Sequence, residues 1–329
     1  MKYSVIIRTT GKAGEKYRSL LQSIENSSIK PTEVIVVLPE GYDKPKEQLG
    51  YEKFYYCKKG MVNQRLYGIS QCNTEYAFVT DDDISFEPEF IDKLSAPVVS
   101  GDYTISIGPL IEFLPKKGKE AFVYIITAHA LPTLFHKNRY NTVLKTTGYS
   151  YNRNLEFGRG RLYETQSAPG ACFFVNVMEF NSIHFEDELW LDSNGYAAYD
   201  DEAMYYKAWI NGLKTVLVAD AHFNHLDGKT SQQKNNNSIG DYCYAFNKWV
   251  FWRRFIYERS TPLGKIWCRI CFGYHLFAES FIGILLSTIK KSGKQSIVAK
   301  RKGKNDAKQW IKTEEYRKLP LVIIENEGK

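Results

Sequence analysis

Cysteine is scarce in this 329-residue chain. Its six residues, Cys57, Cys72, Cys172, Cys243, Cys268 and Cys271, are spread too thinly for a disulfide scaffold and fit a reducing compartment. No secretory leader is expected, because Met1-Lys2-Tyr3 runs directly into Ser4-Val5-Ile6-Ile7 and then Arg8, which points to the cytoplasm. A phosphate loop is also missing. Thr10-Gly11-Lys12-Ala13 has the Gly-Lys pair, but Ile6 stands where the leading glycine belongs and Ala13 where a Ser or Thr belongs. Residues 266–289 are apolar over a membrane-spanning length, yet Arg269, His275 and Glu279 interrupt them. A charge at mid-bilayer costs about 2.5–3.5 kcal/mol on insertion scales, so an amphipathic helix lying at the interface is the better reading. Cys268 and Cys271, with His275 one turn further on, have ligand spacing but no fourth ligand, and read as core cysteines.

What the chain does hold is a folding composition: 43% hydrophobic, 25% charged and 15% aromatic residues exclude a disordered or collagen-like protein. The formal charge of +7 is unevenly placed. Residues 1–247 carry 26 basic and 30 acidic side chains, and residues 248–329 carry 18 and 7. The basic tail suits phosphates of either nucleic acid or anionic lipid.

Short apolar runs alternate with helical patterns through the first hundred residues. Residues 3–7, 34–38 and 76–80 read as strands, and 17–24, 61–70 and 88–94 as helices. That order predicts a parallel sheet with its ligand beyond the carboxyl ends of the strands. The third strand empties into Asp81-Asp82-Asp83, three adjacent carboxylates whose repulsion a hard divalent cation would offset, although a solvated turn before a helix would read the same way. Asp200-Asp201-Glu202 opens a helical pattern over 203–210 that ends at Asn211-Gly212. These acids are either first-turn residues of a helix or a carboxylate poised to accept a proton from a hydroxyl.

Together these segments resemble a known family. Lys59-Gly60-Met61-Val62-Asn63-Gln64-Arg65-Leu66-Tyr67-Gly68-Ile69, residues 76–80, Asp81-Asp82-Asp83-Ile84, Phe86-Glu87-Pro88, Gly170-Ala171, residues 185–188, Tyr199-Asp200-Asp201-Glu202-Ala203-Met204, Gly212, residues 216–218 and His225 look like glycosyltransferase family 2 over about residues 3–230. The resemblance implies an α/β GT-A fold, a Rossmann-like mixed sheet flanked by helices. It also implies a single inverting displacement of a nucleoside diphosphate by an acceptor hydroxyl. By the same resemblance Asp83 and Asp81 hold Mn²⁺ or Mg²⁺, Asp82 reaches the donor ribose or sugar, and Asp201 is the general base with Asp200 orienting the acceptor. Arg65 lies near the nucleotide, Thr9 near the base, and His225 rather than His222 near the metal and diphosphate. Members that use a uracil nucleotide place an acid just after the second strand, where this chain has Leu38-Pro39-Glu40. Glu40 substitutes only through a shifted loop, which leaves the UDP-sugar assignment of the donor open. Arg8 also departs from the small or proline residue usual before the Thr9 position.

The resulting organisation is a catalytic domain at 1–240, with a nucleotide-sugar half to about 115 and an acceptor half at 116–240, followed by a helical extension at 241–329. Between 116 and 166 the residues Tyr140, Tyr149, Tyr151, Arg153, Arg159 and Arg161 stand among Asn and Gly, as expected of an acceptor-facing insertion or a surface loop. Lys290, Lys291, Lys294, Lys300, Arg301, Lys302 and Lys304 follow the apolar stretch, as in a peripheral anchor. The expected protein therefore sits on the inner face of a membrane and transfers sugar to a carbohydrate, lipid-linked in surface polysaccharide assembly, with an anionic membrane surface and no nucleic acid as partner. Two other readings share the clustered acids: a metal-dependent sugar-phosphate nucleotidyltransferase, whose Gly-rich N-terminal loop residues 8–18 lack, and an inert glycan-binding protein of the same fold.

Overall fold

The computed structural model describes residues 1–110, 140–152, 158–226, 237–287 and 293–324. Strands β1 (Tyr3–Arg8), β2 (Glu33–Pro39), β3 (Lys53–Cys57) and β4 (Tyr76–Asp81) are joined by helices α1 (Glu15–Asn26) and α2 (Met61–Ser70). Then come β5 (Ile84–Phe86), α3 (Phe90–Val99), β6 (Ile105–Ile107), the hairpin β7 (Asn141–Val143) and β8 (Ser150–Asn152), β9 (Leu162–Thr165), β10 (Cys172–Asn176) and α4 (Val177–Asn181). A 3₁₀ stretch at Phe185–Asp192 leads to α5 (Asp200–Ile210), β11 (Thr215–Val218) and β12 (Phe223–His225). The chain ends in α6 (Asn237–Phe251), a wide π turn at Trp252–Tyr257, α7 (Pro262–Ser287), α8 (Gly293–Trp310) and α9 (Glu314–Arg317).

The main sheet has the order β3-β2-β1-β4-β10-β6-β11-β9. Its first four strands are parallel, β10 runs antiparallel to both β4 and β6, and β9 runs antiparallel to β11. The sheet is therefore mixed and flanked by helices, as expected. Alternation along the strands divides the core in two. Ile6, Ile35, Val37, Val79, Phe173 and Val175 face α2, α5 and the C-terminal helices, whereas Val5, Ile7, Val34, Val36, Phe78 and Phe174 face α1 and α3. Being covered on both sides is why β2 reads as an unbroken apolar run. Helix α2 lies so close to the sheet that a Cβ on Gly68 would stand 2.4 Å from the Ile6 side chain.

The C-terminal helices complete the first of these core layers. Phe246, Phe251, Trp252, Phe255, Cys268, Phe272 and Tyr316 belong to the same apolar cluster as the inner strand residues. A buried charge network fastens them. Glu188 accepts two bonds from Arg254, at 2.8 and 2.9 Å, and one from Trp190 Nε1 at 2.7 Å, with Lys207 Nζ at 3.1 Å. Tyr140 is core rather than acceptor-facing, and Tyr149 packs on His275 with ring centroids 5.7 Å apart. Arg159 and Arg161 are exposed. Arg153 and residues 111–139 lie outside the described residues, as do Lys290 and Lys291.

Candidate active site

The chain from β1 proceeds to β2 and β3 on one side of the sheet and returns to β4 on the other. The carboxyl ends of β1 and β4 therefore border the crevice where such sheets take their ligands. The register places Arg8 beside Asp81. The Arg8 guanidinium grips the Asp81 carboxylate twice, through Nε and, at 2.8 Å, through Nη2. This departs from the expectation that Asp81 is open to a metal, because a bidentate partner already meets both oxygens. Thr9 Oγ1 donates to Asp82 Oδ2 at 2.5 Å, and buried Gln64 ties the Thr9 and Val37 carbonyls together at 3.0 and 2.9 Å. Burial pushes the Asp82 carboxyl up to about 7, against the Thr9 bond and helped by its two acidic neighbours. Glu40 sits exposed on the turn leaving β2, its N–H bonded to the Cys57 carbonyl.

Past β4 the chain forms β5, and β12 pairs with it so that His225 lies opposite Ile84. His225 Nε2 comes within 3.5 Å of Asp83 Oδ1, while His222 is exposed elsewhere on the strand approach. Among the described residues no three His, Cys, Asp or Glu side chains converge on one point. Asp83 and His225 form a carboxylate and imidazole pair. That donor set fits Mn²⁺ or Mg²⁺ bound through one or two protein ligands, with phosphate and water completing the shell.

The second acidic cluster reaches the same edge through β10. Asp81 N–H donates to the Ala171 carbonyl at 2.9 Å, and the neighbouring Gly170 N–H donates to Asp201 Oδ2 at 2.8 Å. A Cβ at Gly170 would overlap Asp201 Oδ1 at 1.8 Å, so only glycine admits this contact. Asp200 and Asp201 do not cap their own helix. They face Arg65, whose Nη1 donates to Asp200 Oδ2 at 3.2 Å and whose Nη2 donates to Asp201 Oδ1 at 3.4 Å and to the Gly170 carbonyl at 3.3 Å. Arg65 is 1% exposed and lies over the Phe173 ring, so it serves the acid pair and is not turned out toward a nucleotide as expected. Burial pushes Asp201 up to about 7, with the Asp200 charge adding to it and Arg65 opposing; burial likewise raises Asp200. Asp201 keeps a 34% exposed side chain, whereas Asp200 is buried.

Several supports were not foreseen from the sequence. Asp192 accepts the Val62 and Asn63 N–H groups at 3.3 and 2.8 Å and so caps α2, the helix that aims Arg65. Tyr199, just ahead of Asp200, is held at φ 72°, ψ 7°, a conformation uncommon for a residue with a Cβ. Its ring packs on Tyr244 and Phe251 at 5.4 and 5.6 Å. Glu202 accepts from Ser167 Oγ at 2.6 Å, and burial pushes its carboxyl up to about 7. Arg8 alone had a local signal, as an arginine where a small residue is usual.

No protein-family profile matches the chain, and no curated protein resembles it closely enough to count. Solved structures do. GalNAc-T7, determined with UDP, GalNAc and Mn²⁺, superposes with a TM-score of 0.51 at 14% identity, covering 84% of this chain and 56% of its own. This chain thus spans little more than half the length of that protein. Residues 1–349 of S. aureus TarS with UDP match at a TM-score of 0.44 and 13% identity, covering 94% and 92%. The first of these likenesses, with the mixed eight-stranded sheet and its flanking helices, establishes that the chain is built on the GT-A fold.

Proposed function

We propose that the chain is a metal-dependent inverting glycosyltransferase that moves a sugar from a nucleotide-diphosphate donor to a hydroxyl of a carbohydrate acceptor. One observation carries the reading. Asp201, on the Gly170 N–H, stands at the sheet edge where β4 delivers Asp81, Asp82 and Asp83, which supports reading it as a base beside a diphosphate site. The crevice at Thr9 and Asp82 takes the nucleoside. Asp83 and His225 would hold Mn²⁺ or Mg²⁺, which when bound offsets the charge that builds on the departing diphosphate. Asp201, with its pKa pushed to about 7, accepts the acceptor hydroxyl proton as that oxygen attacks the anomeric carbon. Arg65 and Gly170 keep its carboxylate in place. A uridine donor suits the likeness to GalNAc-T7, which was solved with UDP. A lipid-linked acceptor on the inner face of a membrane, within surface polysaccharide assembly and family 2, completes the proposal.

Incubation with a panel of nucleotide sugars and Mn²⁺, scored by release of nucleoside diphosphate, tests it. Release that stops with a chelator is the expected result. Pyrophosphate release from a nucleoside triphosphate and a sugar phosphate would indicate a nucleotidyltransferase instead. Binding of glycan without any release from the panel would indicate the inert alternative.

A further inference from the structure

Helix α7 has one face packed and one face bare. Cys268, Phe272, His275 and Ala278 are buried against α6 and the β7–β8 hairpin. On the other side Leu263, Ile266, Trp267, Ile270, Tyr274, Phe277 and Phe281 are all exposed, from 46% at Tyr274 to 81% at Leu263. Their spacing puts them in one stripe about 100° wide, the width of a face that ordinarily meets a core. The stripe runs about 27 Å along the helix at 1.5 Å per residue. Scattered apolar residues need no explanation on a soluble surface, but a continuous row of seven does.

The charges around the row identify what covers it. Arg253, Lys265 and Arg269 gather over the Tyr257 ring, 4.5, 5.8 and 5.0 Å from its centroid, beside the start of the stripe. Lys294, Arg301 and Lys302 are exposed on α8, which packs on α6 and α7. Glu279, the one acid of α7, faces inward and is paired with Lys248 at 2.8 Å. A second copy of the chain would bring the same excess of 18 basic over 7 acidic residues in 248–329 against itself, which like-charge repulsion disfavours. No described helix is long and apolar enough to cross a membrane.

We infer that the outer face of α7 docks on an anionic lipid bilayer, its aromatic and aliphatic row entering the headgroup boundary and its flanking cations meeting lipid phosphates. A helix of this kind binds through buried apolar area plus attraction to anionic headgroups. Through Tyr149 on His275, the docked helix is tied to the β7–β8 hairpin. The inference stands whether or not the site transfers sugar.

The test is sedimentation of the full chain with phosphatidylcholine vesicles, alone or with about 30% phosphatidylglycerol, the latter supplying the anionic surface. Trp267→Asp with Phe277→Asp removes the stripe at two exposed positions, and Lys265→Glu with Arg269→Glu reverses the flank. An unchanged melting temperature shows that each variant is folded. The parent should pellet with the anionic vesicles only, the first variant should lose at least about tenfold in partitioning, and the second should lose binding most at low salt. Equal pelleting of the first variant and the parent would overturn the inference, as would a parent that stays in the supernatant. It would also be overturned by a dimer in light scattering that the Trp267 and Phe277 changes abolish, since the face would then belong to a second copy.

Discussion

The carboxylate pair at the head of α5 gives a prediction in which activity and stability move oppositely. In Asp201→Asn the side chain keeps its shape, and its carbonyl oxygen can still accept the Gly170 N–H at 2.8 Å. What disappears is the proposed proton acceptor. Turnover should fall by about 10²–10⁴-fold, the usual worth of a positioned base, while affinity for UDP and Mn²⁺ stays near the parent value. The pH profile sharpens this. With Asp201 near 7, its ionised fraction falls from about nine-tenths at pH 8 to about one-tenth at pH 6, so parent turnover should drop nearly tenfold per unit below pH 7. That limb belongs to the coupled pair Asp200 and Asp201, and it should vanish in the variant. Stability follows the opposite sign. A carboxyl raised to about 7 binds its proton more tightly in the folded chain than unfolded, near 4, so parent stability declines as pH rises between those values. The variant lacks that decline and should melt no lower than the parent at pH 8. Initial rates from pH 5.5 to 9 with saturating donor, paired with melting curves, give both readouts. Near-normal turnover in the variant, or an acid limb that persists in it, would refute the base assignment.

Three further outcomes follow from the geometry. If Asp83 and His225, 3.5 Å apart, are the proposed metal donors, Asp83→Asn should remove Mn²⁺-dependent UDP binding in calorimetry and leave the circular dichroism spectrum unchanged. Gly170→Ala should reduce turnover by more than about 10²-fold in a chain that still folds, since its methyl occupies the position of the Asp201 carboxylate and misplaces it. Glu188→Ala should destabilise by about 3–5 kcal/mol in denaturant titration, leaving Arg254 buried without its carboxylate while Lys207 keeps Asp187. Burial opposes the Glu188 charge, but Arg254 and Lys207 hold its pKa below the ordinary value, so its stabilising contribution is present at neutral pH and lost as pH falls.

The parallel half of the fold was legible because strands buried on both faces read as apolar runs, and β1, β2 and β4 stand out in that way. Strand β3, half exposed at the sheet edge, carries no such run and was missed. So was β10, a short segment placed antiparallel between strands far away in sequence. The acidic clusters were visible because three adjacent carboxylates are conspicuous wherever they occur. Their partners were not. Arg8 on Asp81, Gly170 on Asp201 and Asp192 on α2 are contacts across 73, 31 and about 130 residues, and no local period encodes them. Arg65 shows the limit most clearly. Its position was apparent from the helix, but its role turns on which carboxylates the fold brings beneath it, and those come from α5.

The apolar layer shared by the sheet and the C-terminal helices has a thermodynamic consequence. Phe251 lies 6.0 Å from Tyr206 on the helix that carries Asp201, and Trp310 lies 5.9 Å from Trp190 before that helix. Removing residues beyond 245 would strip side chains from this layer and leave the rest of the chain with an open cavity. Heating should therefore melt sheet and appendage together, as one cooperative transition. Anything that favours the native state adds its own binding free energy to that single equilibrium. Nucleotide at the β1–β4 edge and lipid along α7 should each raise the same melting temperature, and when both are present their increments should sum. One thermometer then reads both ends of the molecule.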